Sequence, residues 1–165
     1  MVRKILVVLL SLLSSILVYS NCCLGTSKNY HSYYENGHIY ERGEILDGKK
    51  EGEWLTFYKN GNIKEKIVYK ENKKNGEYFK FYENGQLNSR AMYVDDKIEG
   101  NYVIFDEVGY LDEIANYVED KRQGVTFKFY DSGRIKESRI YKKDGTVIQY
   151  DYNQNKDLDF LSQWY

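Results

Sequence analysis

Two histidines, several acidic doublets, one pair of cysteines and a long series of tyrosines are the residues of this chain with chemistry to offer. His31 and His38 are its only histidines. A metal centre would want further nitrogen or sulfur ligands at suitable spacing, so solvated or cross-strand imidazoles are the plainer reading. Asp95-Asp96, Glu119-Asp120 and Asp144 have the look of paired carboxylates for acid–base work or Ca²⁺ ligation. Each stands in a polar connection after an apolar run, where acidic residues are ordinary turn-formers, and no EF-hand spacing accompanies them. There is no Gly-x-Ser-x-Gly and no Walker loop, and the only cysteines, Cys22 and Cys23, lie together near the start. The residues therefore point to no catalytic group, no metal and no cofactor, and the expectation is that the protein is not an enzyme.

The tyrosines are the ambiguous case. The chain has 18 of them and no proline, a composition that favours strand over helix because aromatic rings fit a pleated, half-buried surface. Ten aromatics recur at fixed places: Trp54, Tyr58, Tyr69, Tyr78, Tyr82, Tyr93, Tyr102, Tyr117, Tyr130 and Tyr141. As structure, such a ladder supports cross-strand packing at ~0.2–1 kcal/mol per pair. As function, a strip of rings with hydroxyls suits a protein or glycan partner, since tyrosine offers broad contact at low entropic cost. These ten are the candidate binding residues, with packing the first reading for any single one.

What must position them is an internal repeat. Gly52, Gly76, Gly100 and Gly124 are each 24 residues apart, and so are Gly61, Gly85, Gly109 and Gly133. A repeat of this length is looked for first because it decides the whole fold. Within a copy, a segment such as Glu53 to Tyr58 runs into Asn60-Gly61, the strongest short-range hairpin signal, since both residues tolerate the positive φ of a type I′ turn. Val108-Gly109 is the misfit: a β-branched residue resists positive φ, so a three-residue loop with Gly109 alone left-handed is expected there.

A second strand follows each turn, such as Ile63 to Tyr69, and a polar connection such as Lys70 to Asn75 leads to the next glycine. A two-residue loop would set Tyr58 opposite Ile63, Trp54 opposite Ile67 and Gly52 opposite Tyr69, leaving room at Gly52 for a ring; a three-residue loop would pair Phe57 with Ile63. The first register groups the rings on one face and is the expected one. Helix fails because no 3.6-residue stripe continues across the glycines. The fold class read from the sequence is all-β: an elongated, single-layer antiparallel β-meander, each repeat touching only its neighbours, with eleven strands spanning roughly 50 Å.

The boundaries follow from where the pattern stops. Met1 to Lys4 carries two positive charges and Ile5 to Tyr19 is apolar but for serines, the layout of a secretory signal peptide. The run is shorter than the roughly 20 apolar residues of a spanning helix, although stretching it to Leu24 leaves an uncleaved anchor open. Cys22 and Cys23 leave two readings beside each other: chance placement next to cleavage after Ser20, or lipidation as in a bacterial lipoprotein, from whose pattern Tyr19 and Asn21 depart. Residues 1–23 are thus read as leader, 24–29 as linker, 30–152 as the repeat array and 153–165 as a C-terminal cap. In that cap Asp157 could begin a short helix carrying Leu158, Leu161 and Tyr165 on one side. Basic and acidic residues nearly cancel, 24 against 25, so nucleic acid is not suggested, and a membrane is implied only through the leader or a lipid anchor.

The run Gly-x-x-x-x-Phe-Tyr-x-Asn-Gly-x-Ile, then Tyr and a charged return to Gly, resembles the MORN repeat variant, from Tyr30 to about Gly145. That resemblance implies a twisted, elongated β-meander used as an interaction surface, and it implies no activity; some proteins of the family are labelled antitoxins. Asp106 departs from the Tyr found at 34, 58, 82 and 130, and Thr126 from the aromatic of Trp54, Tyr78 and Tyr102. The aromatic run before Asn-Gly is also similar to choline-binding cell-wall repeats, which cage quaternary ammonium between rings, although those are shorter and Trp-rich. The expected function is an exported, non-enzymatic repeat protein at the cell envelope or surface that binds another protein. Its rivals are an antitoxin or immunity protein and a binder of wall glycan or choline.

Overall fold

Each 24-residue copy folds as two strands because its apolar residues alternate with charged ones and glycine punctuates them. The computed structural model describes residues 25–152; the leader with Cys22 and Cys23, and the expected C-terminal helix, lie outside the described residues. Twelve strands follow in order: β1 (Ser27–Tyr33), β2 (Ile39–Leu46), β3 (Lys49–Phe57), β4 (Ile63–Lys70), β5 (Lys73–Phe81), β6 (Leu87–Val94), β7 (Lys97–Phe105), β8 (Leu111–Val118), β9 (Lys121–Arg122), β10 (Gly124–Phe129), β11 (Ile135–Tyr141) and β12 (Val147–Asp151). All belong to one open antiparallel sheet in which sequence neighbours are spatial neighbours. β9 and β10 form one rank beside β8, broken at Gln123, so the sheet is eleven ranks wide. No helix occurs among the described residues. The first strand begins at Ser27, inside the stretch read as linker.

The body register is the expected one: Gly52 lies opposite Tyr69 and Trp54 opposite Ile67. The turn that produces it is not. Asn60 is absent from the residues with positive φ, whereas Gly61 has φ of +90°. Gly61 N donates to Tyr58 O (3.0 Å) and Tyr58 N to Asn62 O (2.8 Å), which is a three-residue loop with only its last residue left-handed. Phe57, not Tyr58, therefore faces Ile63, and the pairing then shifts by one residue, leaving Lys64 as a bulge. The three-residue loop expected at Gly109 alone is the form at this turn too.

The type I′ turns are at the other edge, in what the sequence presents as polar connections. Glu71 and Asn72 have φ of 50° and 71°, Asp95 and Asp96 of 49° and 71°, Glu119 and Asp120 of 49° and 65°. Lys70 pairs directly with Lys73 and Val94 with Lys97, so these doublets are two-residue loops and the strands run on beyond them. The second residue of each doublet also fastens the preceding hairpin: Asn72 Oδ1 accepts from Lys50 N (2.7 Å), Asp96 Oδ1 from Lys74 N (2.8 Å) and Asp120 Oδ1 from Ile98 N (2.6 Å).

Two glycines act differently from expectation. Gly52 has φ of +67° and nothing within 4 Å of where a Cβ would stand; it serves a backbone bulge, in which residues 52–54 face Gly43 alone. The glycine that makes room for a ring is Gly43, where a Cβ would run into the Trp54 indole. The buried apolar side chains among the described residues are Trp54, Leu55, Ile67, Ala91, Val103 and Ala115, with Ser89, Glu113, Thr126 and Ser138 buried beside them. They lie on both faces of the sheet and are covered by neighbouring side chains of the same layer.

Candidate functional site

Alternation along the strands sorts the aromatic residues into two groups with different work. Tyr58 and Tyr82 stand at the three-residue loops and donate their hydroxyls to the next hairpin, at Phe81 O (2.7 Å) and Phe105 O (2.9 Å). Tyr34 does the same to Phe57 O (2.6 Å), and Tyr130 to Tyr152 O (3.1 Å). Asp106 breaks the series: its carboxylate accepts from Val108, Gly109 and Tyr110 N within its own loop. Asn60 and Asn84 add a second tie, each donating its side-chain N–H to a carbonyl of the following loop, Glu83 O (2.9 Å) and Glu107 O (3.0 Å). His38 belongs to this system, with Nδ1 donating to Lys59 O (2.9 Å).

The remaining rings share one face. Trp54 meets Tyr69 with centroids 6.1 Å apart, Tyr78 meets Tyr93 at 5.6 Å, and Tyr102 meets Tyr117 at 5.9 Å; Tyr30 lies 5.3 Å from Trp54. Such tilted and edge-on contacts suit the ring quadrupole. Trp54 is only 2% exposed, so its indole offers no surface to a partner. Tyr78 donates to Glu65 Oε1 and Tyr102 to Ser89 Oγ, both at 3.2 Å. Burial, reinforced by Glu65, raises the Tyr78 phenol well above its ordinary value, and burial with nearby acidic groups raises Tyr69 and Tyr93.

The chain's own cations stand over these rings. Lys50 Nζ lies 3.8 Å from the Trp54 centroid and 5.2 Å from that of Tyr69, and Lys74 Nζ lies 5.0 Å from Tyr93. The Arg122 guanidinium reaches Tyr117 at 5.7 Å and Tyr141 at 5.9 Å, where Thr126 has removed the ring partner. Burial works against the Arg122 charge, but hydrogen bonds with Tyr117 and Tyr141 and the charge of Glu113 outweigh it and hold the guanidinium above its ordinary value. Arg122 Nη2 is 2.6 Å from the buried Glu113 carboxylate. These cations were missed in the sequence because they sit among the charged residues of the connections, yet Lys50, Lys74 and Arg122 recur in multiples of 24, with Ile98 interrupting.

The opposite face carries Leu55, Phe79, Val103 and Phe127, paired across to Lys66, Arg90, Ile114 and Ser138. Alternation places Phe57, Phe81, Phe105 and Phe129 on it as well. Met92 and Val94 on β6 are 43% and 47% exposed, and Val118 and Val125 are also open. A shallow hollow of about 280 Å³ lies between Glu77, Phe79, Arg90, Met92, Asn101, Val103 and Ile114. In the preceding copy Lys66 and Glu53 form an ion pair across the equivalent positions.

Among the described residues no group of three His, Cys, Asp or Glu side chains is placed to hold a metal ion. The acidic doublets are turns, as above. Residues 50–71 and 74–95 each match the family model of the MORN repeat variant. These two consecutive units are MORN repeats. A matched unit runs from Lys50 on β3 through the three-residue loop to Glu71, so the joint between MORN units falls at the type I′ turn. No curated protein matches the chain.

Proposed function

We propose that this protein is a non-enzymatic binding protein, exported to the cell envelope, whose MORN sheet presents an extended surface to a protein partner. The observation that carries this reading is the contrast between the two faces. On the ring face the hydroxyls of Tyr78, Tyr102 and Tyr117 are hydrogen-bonded within the chain and cations already stand over several rings, with Lys50 3.8 Å from the Trp54 centroid. That occupancy weighs against a choline-type ligand, whose ammonium would need the same place. On the phenylalanine face, half-covered Phe79 and exposed Met92 border one hollow with Val103 and Ile114, and open apolar surface of this kind marks interaction sites. Export is supported by the basic start and apolar run of residues 1–19.

The test is site-specific photo-crosslinking in intact cells, with the crosslinker placed at Met92 or, as the control, at Tyr69. A discrete, saturable protein adduct from position 92 and little from 69 is the expected result. Equal capture at both sites, or none, would remove the reading. Fractionation of the same cells tests export separately: the chain is expected with the envelope or medium.

A further inference from the structure

The hydrogen-bonded order of the sheet ends at β12, whose outer side faces no strand among the described residues. Tyr152 N donates to Lys136 O and Lys142 N to Thr146 O, both at 2.9 Å, and Ser138 and Ile140 lie opposite Tyr150 and Ile148. In an antiparallel pair bonded and non-bonded positions alternate. Val147, Gln149 and Asp151 therefore turn their N–H and C=O groups outward, away from every strand among the described residues. Val147 and Tyr150 are 49% and 46% exposed. An edge of this kind is a template for another strand.

The strand it fits is set by the number of ranks. With eleven antiparallel ranks, β1 and β12 run in the same direction. A second copy stacked head to tail would bring its β1 to β12 either parallel or with its two faces exchanged. A two-fold axis at the edge instead brings the second copy's β12 alongside antiparallel, the more stable pairing, and keeps each face continuous. β12 is self-complementary about Gln149: Val147 falls opposite Asp151 of the second copy, and Ile148 opposite Tyr150, with no like charges facing. β1 is the poorer candidate, having Lys28 and His31 and no β-branched residue.

We propose that β12 is the isologous interface of a homodimer, joining two sheets edge to edge through Val147, Gln149 and Asp151. The test is sedimentation of the full chain with three substitutions. Val147→Lys sets a cation opposite Asp151 at both symmetric positions and is expected to tighten the dimer, whereas Val147→Asp sets like charges there and loosens it, each by roughly two- to thirtyfold. Gln149→Pro removes an outward N–H that β11 does not use and is expected to abolish dimerisation, with circular dichroism unchanged. A wild-type chain that stays monomeric at 100 μM (a concentration on the order of ten times that of a weak edge dimer), or a dimer that neither charge substitution moves, would overturn the proposal.

Discussion

At the scale of single residues, the informative positions are those where a side chain is missing or a proton is held. Gly43 sits under the Trp54 indole with no room for a Cβ, so Gly43→Ala is expected to destabilise by about 1–3 kcal/mol through overpacking and to shift tryptophan emission. Gly52→Ala is expected to cost about 1–2 kcal/mol through its left-handed backbone and to leave the emission in place; urea midpoints with fluorescence separate the two. The sequence marks both as glycine but cannot say which one lies beneath a ring, because that depends on a bulge two strands wide. The raised phenols of Tyr69, Tyr78 and Tyr93 give a direction in pH. Below the ordinary phenol value near 10 both folded and unfolded chains hold the proton, and the contribution of these residues is complete. Above it the unfolded chain releases a proton that the folded chain keeps, so stability falls as pH rises through that value and beyond. Urea midpoints are expected to be flat up to about pH 9 and to drop steadily above pH 10.

At the scale of elements, the sequence made the hairpins legible and misplaced their turn types. A three-residue loop plus a one-residue bulge at Lys64 restores the body register that a two-residue loop would have given, so the pairing of Trp54 with Ile67 fits either. Asn-Gly suits both geometries as well. At position 60 the asparagine acts through its side chain, accepting from Asn62 N and donating to Glu83 O, not through positive φ. The true left-handed doublets read as solvated acidic residues because carboxylates are common in any connection. Glu71 has φ of 50° without the local side-chain bonding that eases Asn or Asp into this region. Glu71→Asn is therefore expected to stabilise by about 0.5–1 kcal/mol, the scale of a relieved left-handed residue, whereas Asn60→Gly is expected to cost about 1 kcal/mol in hydrogen bonds. Chemical denaturation of both variants checks the pair of signs.

At the scale of the molecule, one ribbon of hairpins follows directly from the equal glycine spacing, since each copy can satisfy its strand edges only on its neighbours. Which face would be used was not legible, because both faces alternate apolar and charged residues in the sequence. Only the register shows that cations spaced by 24 close over Trp54, Tyr93 and Tyr117, while on the other face Phe79 stays half-covered beside exposed Met92. Ties between successive hairpins are likewise a property of the whole array. The tyrosine hydroxyl that crosses from one copy to the next is missing where Asp106 folds back on its own loop. Asp106→Tyr is expected to restore a bond to Phe129 O and raise stability by about 0.5–1.5 kcal/mol, offset in part by the loop bonds it removes; thermal melting measures the balance.

The same place in the ribbon is where β9 and β10 are separated at Gln123, and β10 meets β8 through only two paired residues, Phe127 with Ile114 and Lys128 with Glu113. What bridges the gap is a short rank of two residues, the bonds from Gln123 N to Asn116 O (2.9 Å) and from Asn116 Nδ2 to Gln123 O (3.1 Å), and the charges gathered on Glu113. The array thus has an interrupted row: under amide hydrogen exchange β10 to β12 are expected to open ahead of β3 to β8, as a flap folded back at Gln123. A protease probing the native protein would then release its C-terminal hairpins first and leave the matched MORN units standing.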